Sequence, residues 1–197
     1  MAPLPYSQGG ARVVFYAVFG LWLVLEWWLR FRTHLNRRGA PLDRSNVLVV
    51  VVFVAAGLGG AFALAGDVPS ASIHDGRWAI FVAGIVLMCV GIALRQWAVA
   101  VLGRFFTIDV RVQPGQTVVD RGPYRWVRHP SYTGMIVTFL GLGLALGNWL
   151  ALAVAAIVPT IGLVVRIRSE ERALLAGIGE PYRSYATGRP RLFPGLW

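Results

Sequence analysis

Two short stretches of this sequence gather side chains that can do chemistry. Residues 121–134 read RGPYRWVRHPSYTG, and residues 166–175 read RIRSEERALL. The first crowds Arg121, Arg125, Arg128 and His129 together with two prolines and two glycines. The second sets Arg166 and Glu170 four residues apart, on one face of a helix. An arginine fork fits a carboxylate or phosphate, and a histidine can carry a proton near neutral pH. Taken singly, each stretch has a plain explanation. The first is an interfacial loop whose arginines meet lipid phosphate, and the second is a surface ion pair of little energetic weight. Both stretches, however, lie at the edge of long apolar runs. If those runs fold back on one another, two basic groups and a carboxylate arrive at one rim.

The elements that must position them are set by the bulk of the chain. Of 197 residues, 56% are hydrophobic and only 14% charged, and the mean hydropathy of +0.61 points to lipid as solvent. Apolar blocks run over residues 13–29, 47–65, 78–102 and 135–165. The first three are close to the roughly 20 residues that cross a hydrocarbon core. The last is too long for one crossing and breaks at Gly147-Asn148, a turn dipeptide, giving helices over 132–146 and 149–168 packed as a hairpin. Gly141, Gly143 and Gly147 on one arm and Ala151, Ala153, Ala155 and Ala156 on the other should let the hairpin backbones approach closely. Pro159 should kink the second arm. The expected fold is all-α: a polytopic membrane protein of about five transmembrane helices in one structural domain. Residues 1–102 supply the first three, and 103–197 hold the loop, the hairpin and a polar tail.

Charge gives the expected orientation. All 19 basic residues are arginines, against nine acids, for a formal net charge of +10. Sixteen cluster on one side of this topology: Arg30, Arg32, Arg37, Arg38 and Arg44; Arg104, Arg111, Arg121, Arg125 and Arg128; and Arg166, Arg168, Arg172, Arg183, Arg189 and Arg191. The positive-inside rule then places the C-terminus in the cytoplasm and the N-terminus outside. The first apolar run is flanked by Glu26, Trp27 and Trp28 rather than a small-residue cleavage site, so it reads as a retained span. The arginines punctuate apolar runs, which suits anionic lipid better than nucleic acid. Cys89 stands alone, and His34 and His74 have no partner at ligand spacing, so neither a disulfide framework nor a metal site is expected. Arg95 and Gln96 read as snorkelling residues near the end of the third span, and Glu26 as interfacial.

Function should therefore lie in residues 103–130 and 166–197. Residues 105–112 suggest a short extended segment, with turns at Pro114-Gly115 and Gly122-Pro123. Pro130 suits the first position of a helix capped near His129, which would leave the amides of Ser131 and Tyr132 free to face an anion.

Together with GEPYRSY at 179–185 and RPRLFPGLW at 189–197, the two opening stretches resemble the isoprenylcysteine carboxyl methyltransferase family of integral membrane enzymes. The resemblance covers about residue 102 to the end. It implies methyl transfer from S-adenosyl-L-methionine to a lipophilic acceptor such as the carboxylate of a prenylated cysteine. The cofactor would be held at the cytoplasmic face by Gln116, Thr117, Val118, Val119, Tyr124, His129, Pro130, Ser131, Tyr132 and Glu170. Many relatives have His where this chain has Gln116, which still offers hydrogen bonds. Arg166 would hold the acceptor, and Arg128 would meet either the acceptor or a lipid headgroup. A carboxylate acceptor is ionised at neutral pH without help, whereas an amine would need a base, for which His129 or Glu171 stands ready. The family is not of Rossmann type, and the chain has no Gly-x-Gly-x-x-Gly loop. Three other readings of the chain are a phospholipid amine N-methyltransferase, a sterol-type NADPH reductase and a non-catalytic membrane protein.

Overall fold

The structure is a computed structural model and describes residues 3–35, 45–109, 112–195 and 197. Arg37, Arg38, Arg44 and Arg111 lie outside the described residues, as does the side chain of His34. Seven α-helices follow in order: α1 (Leu4–Ser7), α2 (Gly9–Leu35), α3 (Ser45–Asp67), α4 (Arg77–Leu102), α5 (Pro130–Ala145), α6 (Trp149–Gly177) and α7 (Glu180–Ala186). No strand occurs among the described residues. Four helices, α2, α3, α4 and α6, are long and apolar enough to cross a membrane, and α5 is a shorter apolar helix. The all-α membrane architecture expected from the apolar blocks is the one observed. Val13, Val24, Leu48, Val82 and Val90 are exposed, as outward faces of lipid-facing helices should be.

The tightest packing lies between α4 and α5, not within the α5–α6 hairpin. Gly84 and Gly91 of α4 meet Gly134 and Gly141 of α5: a Cβ on Gly91 would sit 2.5 Å from the Gly134 carbonyl oxygen, and one on Gly141 would sit 2.5 Å from the Met88 nitrogen. The expectation that Gly141 serves the hairpin is thereby corrected. Of the three glycines assigned there, Gly143 alone approaches α6, at 2.5 Å from Leu152 Cα. Gly147 makes no close approach and instead takes φ of 63° in the turn. The α6 helix continues through Pro159, whose ring lies against Gly57 of α3.

Asn148 does more than turn the chain. Its side chain accepts from the amides of Leu150 and Ala151, both at 3.0 Å, capping α6, and its Nδ2 donates to the Val68 carbonyl at 2.9 Å. The far end of the hairpin is thus tied to the α3–α4 connection. Two buried clusters fill the interior. One centres on Phe15, Phe81, Met88 and Leu146, and the other, towards the polar end, on Trp22, Phe139, Leu163, Ile167 and Leu192.

Among the described residues 105–109 and 112, the extended segment expected at 105–112 is not formed. A 3-10 turn over Gly103–Phe105 leads into irregular backbone. Its polar groups are met by side chains instead: Thr107 Oγ1 donates to the Asp109 carbonyl at 2.8 Å, and Gln113 Nε2 to the Arg104 carbonyl at 2.8 Å. Pro114-Gly115 does turn the chain, and a second 3-10 turn spans Gly122–Arg125.

Candidate active site

The loop, α5, α6 and α7 enclose an open cleft of about 860 Å3, counted out to its mouth. One wall is Gln116, Thr117, Val118 and Val119, and the floor is Tyr124, His129, Ser131 and Tyr132. Glu170, Ala173 and Leu174 of α6 face them, with Tyr182 and Tyr185 of α7 and Arg128 closing one side. Of the site residues expected from sequence, Pro130 and Arg166 alone do not line this cleft. Pro130 is buried at the first position of α5, where it shapes the helix start. The sequence reading missed Phe105, Phe106, Thr107 and Asp109, which complete the roof. Their signal is a pair of phenylalanines just past the polar end of a span.

The start of α5 is held by the tail. Arg128 and His129 donate their amides to the carbonyls of Pro190 and Arg191 at 3.0 and 2.9 Å, and Thr133 Oγ1 donates to the Leu192 carbonyl at 2.6 Å. The Tyr132 amide, expected to be free, bonds the His129 carbonyl at 3.0 Å. Beneath this junction Glu171 gathers cations: Arg128 Nη1 at 2.6 Å, Arg191 Nε at 2.9 Å and His129 Nε2 at 3.3 Å. A carboxylate so held is a structural anchor, so the role of base for an amine acceptor does not suit Glu171. Arg128 reaches the cleft and commits one nitrogen to this anchor.

Arg166 and Glu170 do share a face, yet no direct ion pair joins them. Arg166 Nε donates to the Tyr132 hydroxyl at 2.6 Å, and that hydroxyl donates to Glu170 Oε2 at 2.5 Å. Arg166 also donates to the Ile108 carbonyl. It is 6% exposed, and among the described residues no carboxylate contacts it directly, although Glu170 and Asp109 lie close enough to interact with it electrostatically. Arg166 lines a second chamber, walled by Val50, Val51, Met135 and Leu163, that shares Phe106, Thr107 and Tyr132 with the cleft.

The same chamber overturns the snorkelling expectation for Arg95. Its side chain is buried, bonded to both carboxylate oxygens of Glu26 and, through Nη1, to Ser131 Oγ at 2.8 Å. Glu26 is correspondingly not merely interfacial. A charge buried within a span is tolerable when it has partners, and here α2 and α5 provide them.

On the cleft's polar side, burial raises the phenol of Tyr124, with Glu170 adding to it, and burial likewise raises Tyr182, with Glu171 adding. Tyr185 is pushed up to about 12 by burial against the lowering pull of Arg189. All three remain protonated donors at neutral pH, and Tyr185 uses its proton on the Tyr124 carbonyl at 2.8 Å. The Tyr182 hydroxyl and Arg128 Nε are buried without a hydrogen-bond partner. No group of three or more metal-ligating side chains stands together among the described residues.

Residues 84–176 match the family model described as the isoprenylcysteine carboxyl methyltransferase (ICMT) family. Protein-S-isoprenylcysteine O-methyltransferase B of Arabidopsis thaliana is 32% identical over 120 residues, 60% of this chain and 61% of that one. An uncharacterized protein of Bacillus subtilis, YpbQ, is 32% identical over 97 residues, 49% of this chain and 56% of that one. The cobalt-zinc-cadmium resistance protein CzcN of Cupriavidus metallidurans is 34% identical over 154 residues, 75% of this chain and 62% of that one. The matched stretch thus spans little more than half the length of these curated relatives. The solved structure of the eukaryotic intramembrane Ras methyltransferase ICMT, without a monobody, superposes with a TM-score of 0.65 at 18% identity, over 97% of this chain and 70% of that one, a likeness of fold. From the glycine seam of α4 to the end of α6, this chain carries the matched region of the isoprenylcysteine carboxyl methyltransferase family, the family that its RHPSY and RSEER motifs resemble.

Proposed function

We propose that the protein transfers a methyl group from S-adenosyl-L-methionine to the carboxylate of a lipophilic acceptor, such as the C-terminal carboxylate of a prenylated cysteine, at the cytoplasmic membrane face. The observation that carries this reading is Arg166: a buried cation that no carboxylate among the described residues contacts directly, set where the second chamber meets the cleft. Glu170 reaches it only through the Tyr132 hydroxyl; a buried guanidinium without a directly paired carboxylate is costly, and an anionic acceptor supplies that direct partner. In this reading residues 103–197 form the transfer core, and the preceding helices supply the acceptor's far wall.

The cleft suits the cofactor. It offers a carboxylate at Glu170, hydrophobic walls at Val118, Val119 and Phe105, and two unpartnered buried polar atoms, the Tyr182 hydroxyl and Arg128 Nε. Gln116, Thr117, Tyr124, His129, Ser131 and Tyr132 complete its surface. When bound, S-adenosyl-L-methionine supplies a methyl group on a positively charged sulfur. Glu170 places negative charge on the cofactor side, and Arg166 fixes the acceptor on the other, with the Tyr132 hydroxyl locking the two side chains in register. Alignment of this kind, rather than an acid or base, is what an in-line displacement by an already ionised carboxylate needs. Amphiphilic acceptors reach Arg166 laterally, their tails remaining among Val50, Val51, Met135 and Leu163.

The test is incubation of the purified chain with methyl-labelled cofactor, a mixed lipid extract and prenylated cysteine. The expected product is extractable into organic solvent and releases methanol in base, as an ester does. Arg166→Ala and Glu170→Ala should each lower the rate by about two orders of magnitude or more. Base-stable label would point to an amine acceptor. Binding of NADPH with indifference to S-adenosylhomocysteine would point to a reductase, and equal background in all three proteins to a non-catalytic role.

A further inference from the structure

The acceptor chamber holds more charge than binding one carboxylate requires. Arg95 and Arg166, each 6% exposed, both line it, with Glu26 as the one acid on its wall among the described residues. Arg95 commits two nitrogens to the Glu26 carboxylate, Nη2 to Oε2 at 2.7 Å, and the third to Ser131 Oγ at 2.8 Å. Three bonds to α2 and α5 leave it no freedom to swing towards lipid. Arg30 also lines the chamber but is exposed, so water screens it. A guanidinium does not lose its proton in a protein. Among the described residues, the buried charges on the chamber's own wall therefore sum to one net positive charge, that of Arg166, whose nearest acids, Glu170 behind the Tyr132 hydroxyl and Asp109, lie on the cleft side.

We infer that Glu26 is a specificity-determining residue: by cancelling Arg95 it leaves the chamber wall one net positive charge, so the chamber takes a lipophilic acceptor with a singly charged head and turns away dianionic heads on the same tail. This rests on the reading of Arg166 as the acceptor's anchor. A second negative charge brought into the chamber would meet Glu26 without a cation of its own, a penalty that low-dielectric surroundings magnify. With Glu26 neutral, Arg95 and Arg166 together would present a doubly positive chamber, the arrangement that suits a phosphomonoester. The pair explains why α2 and α4, outside the RHPSY and RSEER motifs, place opposite charges 69 residues apart at one buried point.

The experiment measures equilibrium binding of dodecyl sulfonate and dodecyl phosphate to the full chain in detergent, without cofactor, near pH 8, at which the phosphomonoester is doubly charged. Wild type should favour the sulfonate by about tenfold or more, and Glu26→Gln should erase or reverse that preference. The double variant Glu26→Gln/Arg95→Gln, which restores the charge count with near-isosteric groups, should return it. Arg95→Gln alone leaves Glu26 to oppose Arg166 and should weaken sulfonate binding by about tenfold; it keeps the test alive if Glu26→Gln does not fold. An equal preference in wild type, an unchanged ratio in Glu26→Gln, or a double variant that keeps the altered ratio would overturn the inference. Since no cofactor is present, failure of methyl transfer leaves these ratios untouched, whereas a flat ratio beside intact methyl transfer removes only the role given to Glu26.

Discussion

Tyr132 stands where the cleft and the chamber meet, its hydroxyl accepting from Arg166 at 2.6 Å and donating to Glu170 at 2.5 Å. Both bonds are charge-assisted, each contributing roughly 1.5–3 kcal/mol. Tyr132→Phe keeps the ring that stacks on His129 at 5.6 Å and removes only this bridge. The expected result is a kcat lower by about ten- to a hundredfold, with the melting temperature lowered by about 6 °C or more as both bonds are lost; an unchanged kcat would show that Arg166 and Glu170 hold their places without the bridge. Tyr132 was legible from sequence because it sits inside a contiguous motif, RHPSY. Arg95 was not, since its partner Glu26 lies on another helix and an arginine near a span end looks the same whether it snorkels or pairs inward. Tyr182 and Tyr185 were visible in GEPYRSY as letters, but nothing local says that α7 folds back over Tyr124.

Helix lengths could be read from hydropathy; which helix packs on which could not. The hairpin glycines drew attention because the turn at Gly147-Asn148 makes α5 and α6 neighbours. A sharper signal was present in the spacing: Gly84 and Gly91 lie seven apart on α4, and Gly134 and Gly141 seven apart on α5. Seven residues are about two turns, so each pair marks one face of its helix, and matching faces predict the seam. Gly91→Ala should therefore force the α4 and α5 backbones apart, costing about 1–3 kcal/mol. Gly59→Ala on α3, where an added Cβ meets nothing within 4 Å, should be neutral or stabilising by up to about 1 kcal/mol. Thermal melts of the two variants in one detergent check this, and equal melting temperatures would argue against the seam. Because Ser131 and Tyr132 lie on the α5 turn next to Gly134, and Arg95 on the α4 turn that Gly134 touches, Gly91→Ala should also reduce activity beyond its loss of stability.

Across the whole molecule the site is placed by a mismatch in length. The 16-residue α5 is about 24 Å long, short of the roughly 30 Å hydrocarbon core, whereas α6 has 29 residues and projects past it. The start of α5 is consequently recessed against α6, and the polar tail fills the step, its carbonyls at Pro190, Arg191 and Leu192 meeting Arg128, His129 and Thr133. The tail carries no reacting group, yet it satisfies the amides at the helix start, neutralises Glu171 through Arg191 at 2.9 Å and reaches Asp120 of the loop through Arg189 at 2.9 Å. A chain ending at Gly188 should still insert, because the α4–α5 seam and the cluster around Phe15 and Met88 do not involve the tail. Its His129 amide would lack a partner, and the loop bearing Gln116–Val119 would lose its tie at Asp120. Affinity for S-adenosylhomocysteine should then fall by about tenfold or more, with dodecyl sulfonate binding in the chamber reduced far less. Equal losses at both sites would mean that the tail supports the fold as a whole; a selective loss would mark it as the strap that sets the cleft.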